Sequence, residues 1–131
     1  MSTQPIKNVV CIGAGYVGGP TMAVIAEKCP DIEVTVVDVD ERKIEAWKRS
    51  PLPIKEPQLE PIVEACREKN LHFSTDVKSA IEIADIIFIA VGTPTKMVGT
   101  GAGKAALIDY VESAARTIGK YAVKSMVVVE K

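Results

Sequence analysis

Gly13-Ala14-Gly15-Tyr16-Val17-Gly18 places three glycines at a spacing that suits one kind of chemistry. A short apolar run, Asn8 to Ile12, leads into it, and a stretch with helical character, Tyr16 to Lys28, leads out. Between a strand and a helix, this spacing brings backbone up to a pyrophosphate. Gly13 permits the tight turn, Gly15 leaves room for the diphosphate, and Gly18 lets the helix lie against the sheet. The free N–H groups and the dipole at the helix start then favour the anion. Ala14, Tyr16 and Val17 complete the turn and border the same ligand.

Asp38 ends a second β-branched run, Glu33-Val34-Thr35-Val36-Val37, twenty residues after Gly18. A carboxylate there accepts from both hydroxyls of an adenosine ribose and repels a 2′-phosphate, which selects NAD over NADP. Taken alone, Asp38 is equally a solvated acid at a strand end. Arg42 and Lys43 lie near enough to temper the selection or to cover the adenine. Val91-Gly92-Thr93-Pro94-Thr95 follows a later apolar strand, and its small residue, rigid turn and hydroxyls suit the ribose and nicotinamide end of the cofactor. The other reading of that segment is an ordinary loop start. His72, the single histidine, reads as structural; Trp47 and Tyr16 read first as packing residues. No catalytic set or metal-spaced cluster stands out, so no catalytic residue and no metal ligand are assigned.

The elements that would position these residues alternate along the chain. Strands are expected at Asn8 to Ile12, Glu33 to Asp38, Leu71 to Ser74, Ile86 to Val91 and Ser125 to Val129. Helices are expected from Tyr16 to Lys28, Glu41 to Arg49, Pro57 to about Lys69, Thr75 or Asp76 to Ala84, and Ala105 to Ile118. Three prolines keep 50–57 extended. Glycines and prolines between Gly92 and Gly103 mark a long loop. Such alternation predicts an α/β fold: a doubly wound parallel sheet of the Rossmann type, in the order 3-2-1-4-5, stopping after its fifth strand.

The chain has 131 residues, enough for one domain. Sixteen basic and seventeen acidic residues nearly cancel, which argues against nucleic acid as a partner. No apolar run is long enough for a membrane span and no leader is legible. Cys11, Cys29 and Cys66 fit neither a zinc site nor a redox pair, and reduced thiols of a cytoplasmic protein are expected.

Set side by side, several segments resemble the UDP-glucose/GDP-mannose dehydrogenase family, and within it the eukaryotic UDP-glucose 6-dehydrogenases. They are Cys11 to Thr21, Val34 to Val39, Leu52-Pro53-Ile54, Glu56-Pro57, Asn70-Leu71, Phe73-Ser74-Thr75, Gly92 to Lys96 and Glu130-Lys131. Lys55, Gln58, Gly92 and Leu107 depart from the family's usual residues. The resemblance implies that Gly13, Gly15 and Gly18 hold the diphosphate, that Asp38 and Lys43 flank the adenosine ribose, and that Val91 to Thr95 line the cofactor. It also implies oxidation of UDP-glucose to UDP-glucuronate with two NAD, through a thioester on a cysteine beyond Lys131. Residues 1–131 are thus expected to be a cofactor domain whose substrate and catalytic domain lies elsewhere, inactive alone, in a protein that is a homo-oligomer at full length. Two alternatives remain: a dehydrogenase for another nucleotide sugar, such as GDP-mannose or UDP-N-acetylmannosamine, and a non-catalytic NAD-binding module.

Overall fold

The computed structural model describes residues 5–15, 17–49, 51–67, 69–91, 102–124 and 126–130; for 102–110 and 130 the description covers the backbone alone. Five strands, β1 (Asn8–Ile12), β2 (Glu33–Val37), β3 (Leu71–Ser74), β4 (Ile86–Ile89) and β5 (Val127–Glu130), form one sheet in the order β3-β2-β1-β4-β5. All four pairings are parallel. Parallel neighbours need crossovers, and the helices supply them: α1 (Gly18–Lys28), α2 (Glu41–Lys48), α3 (Leu59–Arg67), α4 (Val77–Ile83) and α5 (Ala102–Tyr121). The expected sheet order is the observed one.

Alternating side chains of β1 feed two separate cores. Val9 and Cys11 join Val34, Val36, Met22, Ala23, Ala26, Trp47 and Val63 on the face covered by α1, α2 and α3. Val10 joins Val37, Ile81, Ile87, Ile89, Ala114 and Ile118 on the face covered by α4 and α5. Burial on both faces is why the strand reads as an unbroken apolar run. The sheet edges differ: β3 carries buried Leu71 and Phe73, whereas Val127 and Val128 of β5 are about half exposed.

The helix starts show side-chain chemistry at work. Asp40 caps α2 by accepting from the Arg42 N–H at 3.0 Å, and Asp76, rather than Thr75, caps α4 by accepting from the Ser79 N–H at 3.2 Å. α3 begins at Leu59, not at Pro57. The reason is Pro61: a helix already under way at Pro57 would set the Pro61 ring against the Pro57 carbonyl, so Pro61 must lie in the first turn. α5 is longer than expected at both ends, and Gly103 and Gly119 lie inside it. α5 thus takes in Ala102 and Gly103, the last two residues of the long loop expected over Gly92 to Gly103, while 92–101 lies outside the described residues.

Asn70 is the buried polar side chain among the described residues, and its amide donates to the carbonyls of Ala26, Cys29 and Ile32 at 2.9–3.2 Å. It thereby fastens the end of α1 to the turn before β2. Burial, with the nearby Glu27 charge, pushes the Cys66 thiol above its ordinary value.

Asp85 gathers three strands at the end of the sheet away from the glycine turn. Its Oδ2 accepts from the N–H groups of Lys7 and Asn8, each at 2.9 Å, and its Oδ1 from the Lys124 ammonium at 2.7 Å. Its own N–H and C=O join Asn8 of β1 and Val127 of β5. The Lys124 hydrogen bond, then those of Lys7 and Asn8, hold its carboxyl down at about 2. An unfolded aspartate titrates near ~3.9, so this contribution to stability is complete above that pH and disappears as the pH falls toward about 2. Asp85→Asn is expected to lower the thermal midpoint at neutral pH and to flatten its fall between about pH 4 and about pH 2. Thermal melts of both proteins across that range check it; parallel curves would exclude Asp85 as the acid-sensitive group.

Candidate functional site

The C-terminal ends of β1, β2 and β4 converge on the glycine turn. The Gly13 N–H donates to the Val37 carbonyl at 2.8 Å, and the Ala90 N–H to the Ile12 carbonyl at 2.9 Å. Gly13 has φ +118°, a region L side chains rarely adopt, and a Cβ there would land on the Ala90 carbonyl. β1 lies between β2, which the chain reaches from it through α1, and β4, which the chain reaches from β3 through α4. This is the point in such sheets where a crevice opens.

Each glycine of the turn has a different reason to be glycine. At Gly18 a Cβ would strike the Gly13 carbonyl and lie 2.9 Å from Cys11 Sγ, so helix, turn and strand are in direct contact there. At Gly15 a Cβ would meet nothing within 4 Å. Packing among the described residues therefore gives no reason for the missing side chain at 15, and the open space beside it is the room a diphosphate needs. Val17, 52% exposed, is the N-cap residue of α1, and no side chain caps that helix, whose first turn holds no acid. Gly19 and Thr21 donate to the Gly15 and Val17 carbonyls, each at 3.2 Å, and Pro20 has no N–H, so among these first positions the Gly18 N–H is left to solvent or to an anion.

Asp38 stands immediately after β2, one residue past the observed strand end, and is partly buried. Its Oδ2 accepts the Ala14 N–H at 3.0 Å and its Oδ1 the Asp40 N–H at 2.8 Å. Each oxygen keeps a further lone pair, so the carboxylate can both brace the turn and accept from a vicinal diol. Val39, 88% exposed, lies beside it. Lys43 is exposed in the first turn of α2. Arg42 is 95% exposed and pairs loosely with Asp40 at 3.8 Å. Val91 lies just past β4, partly buried against the second core. Tyr16, Gly92, Thr93, Pro94 and Thr95 lie outside the described residues.

Two residues matter to the turn more than their sequence context suggests. Trp47, read as packing, is buried, stacks on Phe73 at 5.7 Å, and also donates from Nε1 to the Ala14 carbonyl at 3.0 Å. A Cβ at Gly19 would run into the Trp47 ring. The available signal was the indole N–H, which needs an acceptor when buried; nothing in the spacing named Ala14. His72 lies at the far sheet edge, half exposed, 3.0 Å from Glu33 Oε1 and away from the turn. No cluster of three or more metal-binding side chains occurs among the described residues.

A parallel sheet in this order, a glycine turn at its centre and an acid after the second strand define a dinucleotide-binding domain of the Rossmann class. The sequence profile of the UDP-glucose/GDP-mannose dehydrogenase family, NAD binding domain, matches residues 7–131. The chain belongs to this family and constitutes its NAD-binding domain. It is 61% identical to UDP-glucose 6-dehydrogenase 4 of Arabidopsis thaliana over 95% of its own length and 26% of that protein. It thus spans about a quarter of that relative's length. Among solved structures it is similar to a GDP-mannose dehydrogenase of Pseudomonas aeruginosa, with 31% identity and TM-score 0.75, over 93% of this chain and 27% of that one. It is also similar to the NDP-N-acetyl-D-galactosaminuronic acid dehydrogenase of Methanosarcina mazei, with 31% identity and TM-score 0.75, over 97% of this chain and 27% of that one.

Proposed function

We propose that the chain is the cofactor-binding part of a UDP-glucose 6-dehydrogenase, which oxidises UDP-glucose to UDP-glucuronate with two NAD. The observation that carries this reading is the 61% identity to a UDP-glucose 6-dehydrogenase across nearly the whole chain, against 31% to the GDP-mannose enzyme. The remaining parts of the proposal are a substrate domain outside residues 1–131 that supplies the nucleophilic cysteine, a homo-oligomeric full-length protein, and a cytoplasmic location. No helix among the described residues is long and apolar enough to cross a membrane.

Within this chain, Gly13, Ala14, Gly15, Tyr16, Val17 and Gly18 take the diphosphate. Asp38 and Lys43 take the adenosine ribose, and Val91, Gly92, Thr93, Pro94 and Thr95 line the nicotinamide side. NAD, when bound, accepts hydride. The residues of the chain bind and orient it: the N–H groups of the glycine turn and of Gly18 at the start of α1 face the diphosphate, and Asp38 fixes the ribose while its negative charge opposes a 2′-phosphate.

Full-length protein supplied with UDP-glucose and NAD is the direct test. Two NADH per UDP-glucose are expected, with GDP-mannose and UDP-N-acetylmannosamine inert; turnover of either of those instead would move the protein to another branch of the family. Residues 1–131 alone are expected to bind NAD without turning over UDP-glucose.

Asp38 also sets a cofactor prediction. NAD is expected to bind more tightly than NADP, and Asp38→Asn to narrow the difference. The substitution also turns one of the two N–H partners of Asp38 against an amide N–H, at a cost of about 1–3 kcal/mol of stability. Titration of both cofactors at one ionic strength checks the ratio. An unchanged ratio in the variant would transfer control of the ribose pocket to Arg42 or Lys43.

A further inference from the structure

Ala14 C=O and Gly15 N–H belong to one peptide unit. A trans peptide is planar, and its C=O and N–H point in opposite directions. Whatever fixes the Ala14 carbonyl therefore fixes the direction of the Gly15 N–H. The Ala14 carbonyl is held by the Trp47 indole N–H at 3.0 Å, on the buried side of the turn. The Gly15 N–H must then face the other way, away from the Trp47 indole. Among the described residues no acceptor meets that N–H.

Trp47 is itself firmly placed. Its ring lies parallel to Phe73 of β3, with 10° between the planes. Arg67 of α3 donates to the Trp47 backbone carbonyl at 3.0 Å. α1 passes so close that only glycine fits at 19. On the other side of the same residue, Asp38 accepts the Ala14 N–H. Both polar groups of Ala14 are thus anchored, one to the carboxylate assigned to the ribose and one to a side chain remote from any ligand.

We propose that Trp47 is a positioning residue for the cofactor: by holding the Ala14 carbonyl inward, its indole N–H aims the Gly15 N–H at the diphosphate. This rests on the reading of the glycine turn as the diphosphate site. Without the indole N–H, the Ala14–Gly15 peptide loses its anchor and can rotate, and diphosphate binding must then restore the orientation. Adenosine, which reaches Asp38 but has no phosphate, escapes that cost.

The test compares ligands in the full-length protein carrying Trp47→Phe, which keeps an aromatic ring against Phe73 and removes the donor. Affinities for NAD and ADP-ribose are expected to fall roughly tenfold, the scale of one hydrogen bond, with adenosine affinity unchanged within about twofold. A second variant carries 3-benzothienylalanine at position 47, where sulfur replaces the N–H on a ring of nearly the same shape. It keeps the packing beneath Gly19 and maintains the test should Trp47→Phe not fold. The same selective loss is expected of it. An unchanged ADP-ribose affinity, or an equal fall for ADP-ribose and adenosine, would overturn the proposal, the latter by showing general support of the fold. Gly15→Val distinguishes the two levels. If it leaves NAD binding intact, the diphosphate assignment itself fails; if it abolishes binding while the Trp47 variants show no selective loss, only the role of Trp47 fails.

Discussion

Replacing Gly15 with valine is expected to abolish NAD binding and to leave the fold standing. The structure separates the two effects. A Cβ at this position meets no atom within 4 Å among the described residues beyond its chain neighbours, and the Gly15 backbone is outside the positive-φ region that only Gly13 occupies among the described glycines. The side chain therefore has room in the free protein and imposes no left-handed strain. The room it takes is the approach to the N–H groups of the turn and of Gly18 at the start of α1, a helix with no side-chain cap. A diphosphate cannot then reach those groups, and the loss is expected to exceed about 100-fold in affinity, or about 2.7 kcal/mol. Calorimetric titration with NAD, beside circular dichroism and thermal melting of the same sample, checks both halves. Native spectra with wild-type affinity would remove Gly15 from the site.

Gly13→Ala is expected to act in the opposite way, on stability first. The Gly13 backbone has φ +118°, and its added methyl would overlap the Ala90 carbonyl at the junction of β1 and β4. The left-handed conformation costs an alanine about 1–2 kcal/mol, and forcing a methyl into closed packing about 1–3 kcal/mol more. A combined loss near ~3 kcal/mol is a large share of the ~5–15 kcal/mol that holds a domain of this size. The thermal midpoint is expected to fall by about 10 °C. Because the damage is to folding, saturating NAD should recover part of it by mass action, which it cannot do for Gly15→Val. Melting curves with and without NAD distinguish the two variants. A midpoint within about 2 °C of wild type would mean that the turn accommodates a side chain at 13.

The pair shows where local pattern stops. Both residues belong to one glycine spacing, and the spacing alone predicts a turn and a ligand. It does not say that one glycine is required by the Ala90 carbonyl just past β4, seventy-seven residues away, and the other by nothing among the described residues. Gly19 makes the same point: its reason is the Trp47 ring, brought beneath α1 by the crossover through β2 and α2.

Much of the architecture was legible because it follows from periodicity and capping. Strands buried on both faces read as apolar runs, and parallel strands must alternate with helices, so five runs and the helices between them lead to a doubly wound parallel sheet. Asp40 and Asp76 announced helix starts because a carboxylate at that point satisfies an otherwise unpaired N–H. Boundaries were less legible. The start of α3 depends on Pro61 in its first turn, and α5 runs through two glycines that local propensity disfavours.

The sequence by itself determined the class of ligand, since a glycine turn between strand and helix and an acid at the end of the next strand are local features with local causes. Tertiary structure alone decided how the turn is held. The Ala14 peptide is gripped by Asp38 on one side and Trp47 on the other, residues far apart in the chain whose meeting depends on α2 folding back over the sheet. A hydrogen bond has a direction as well as a distance, and no spacing along the chain encodes the direction from which a remote donor arrives.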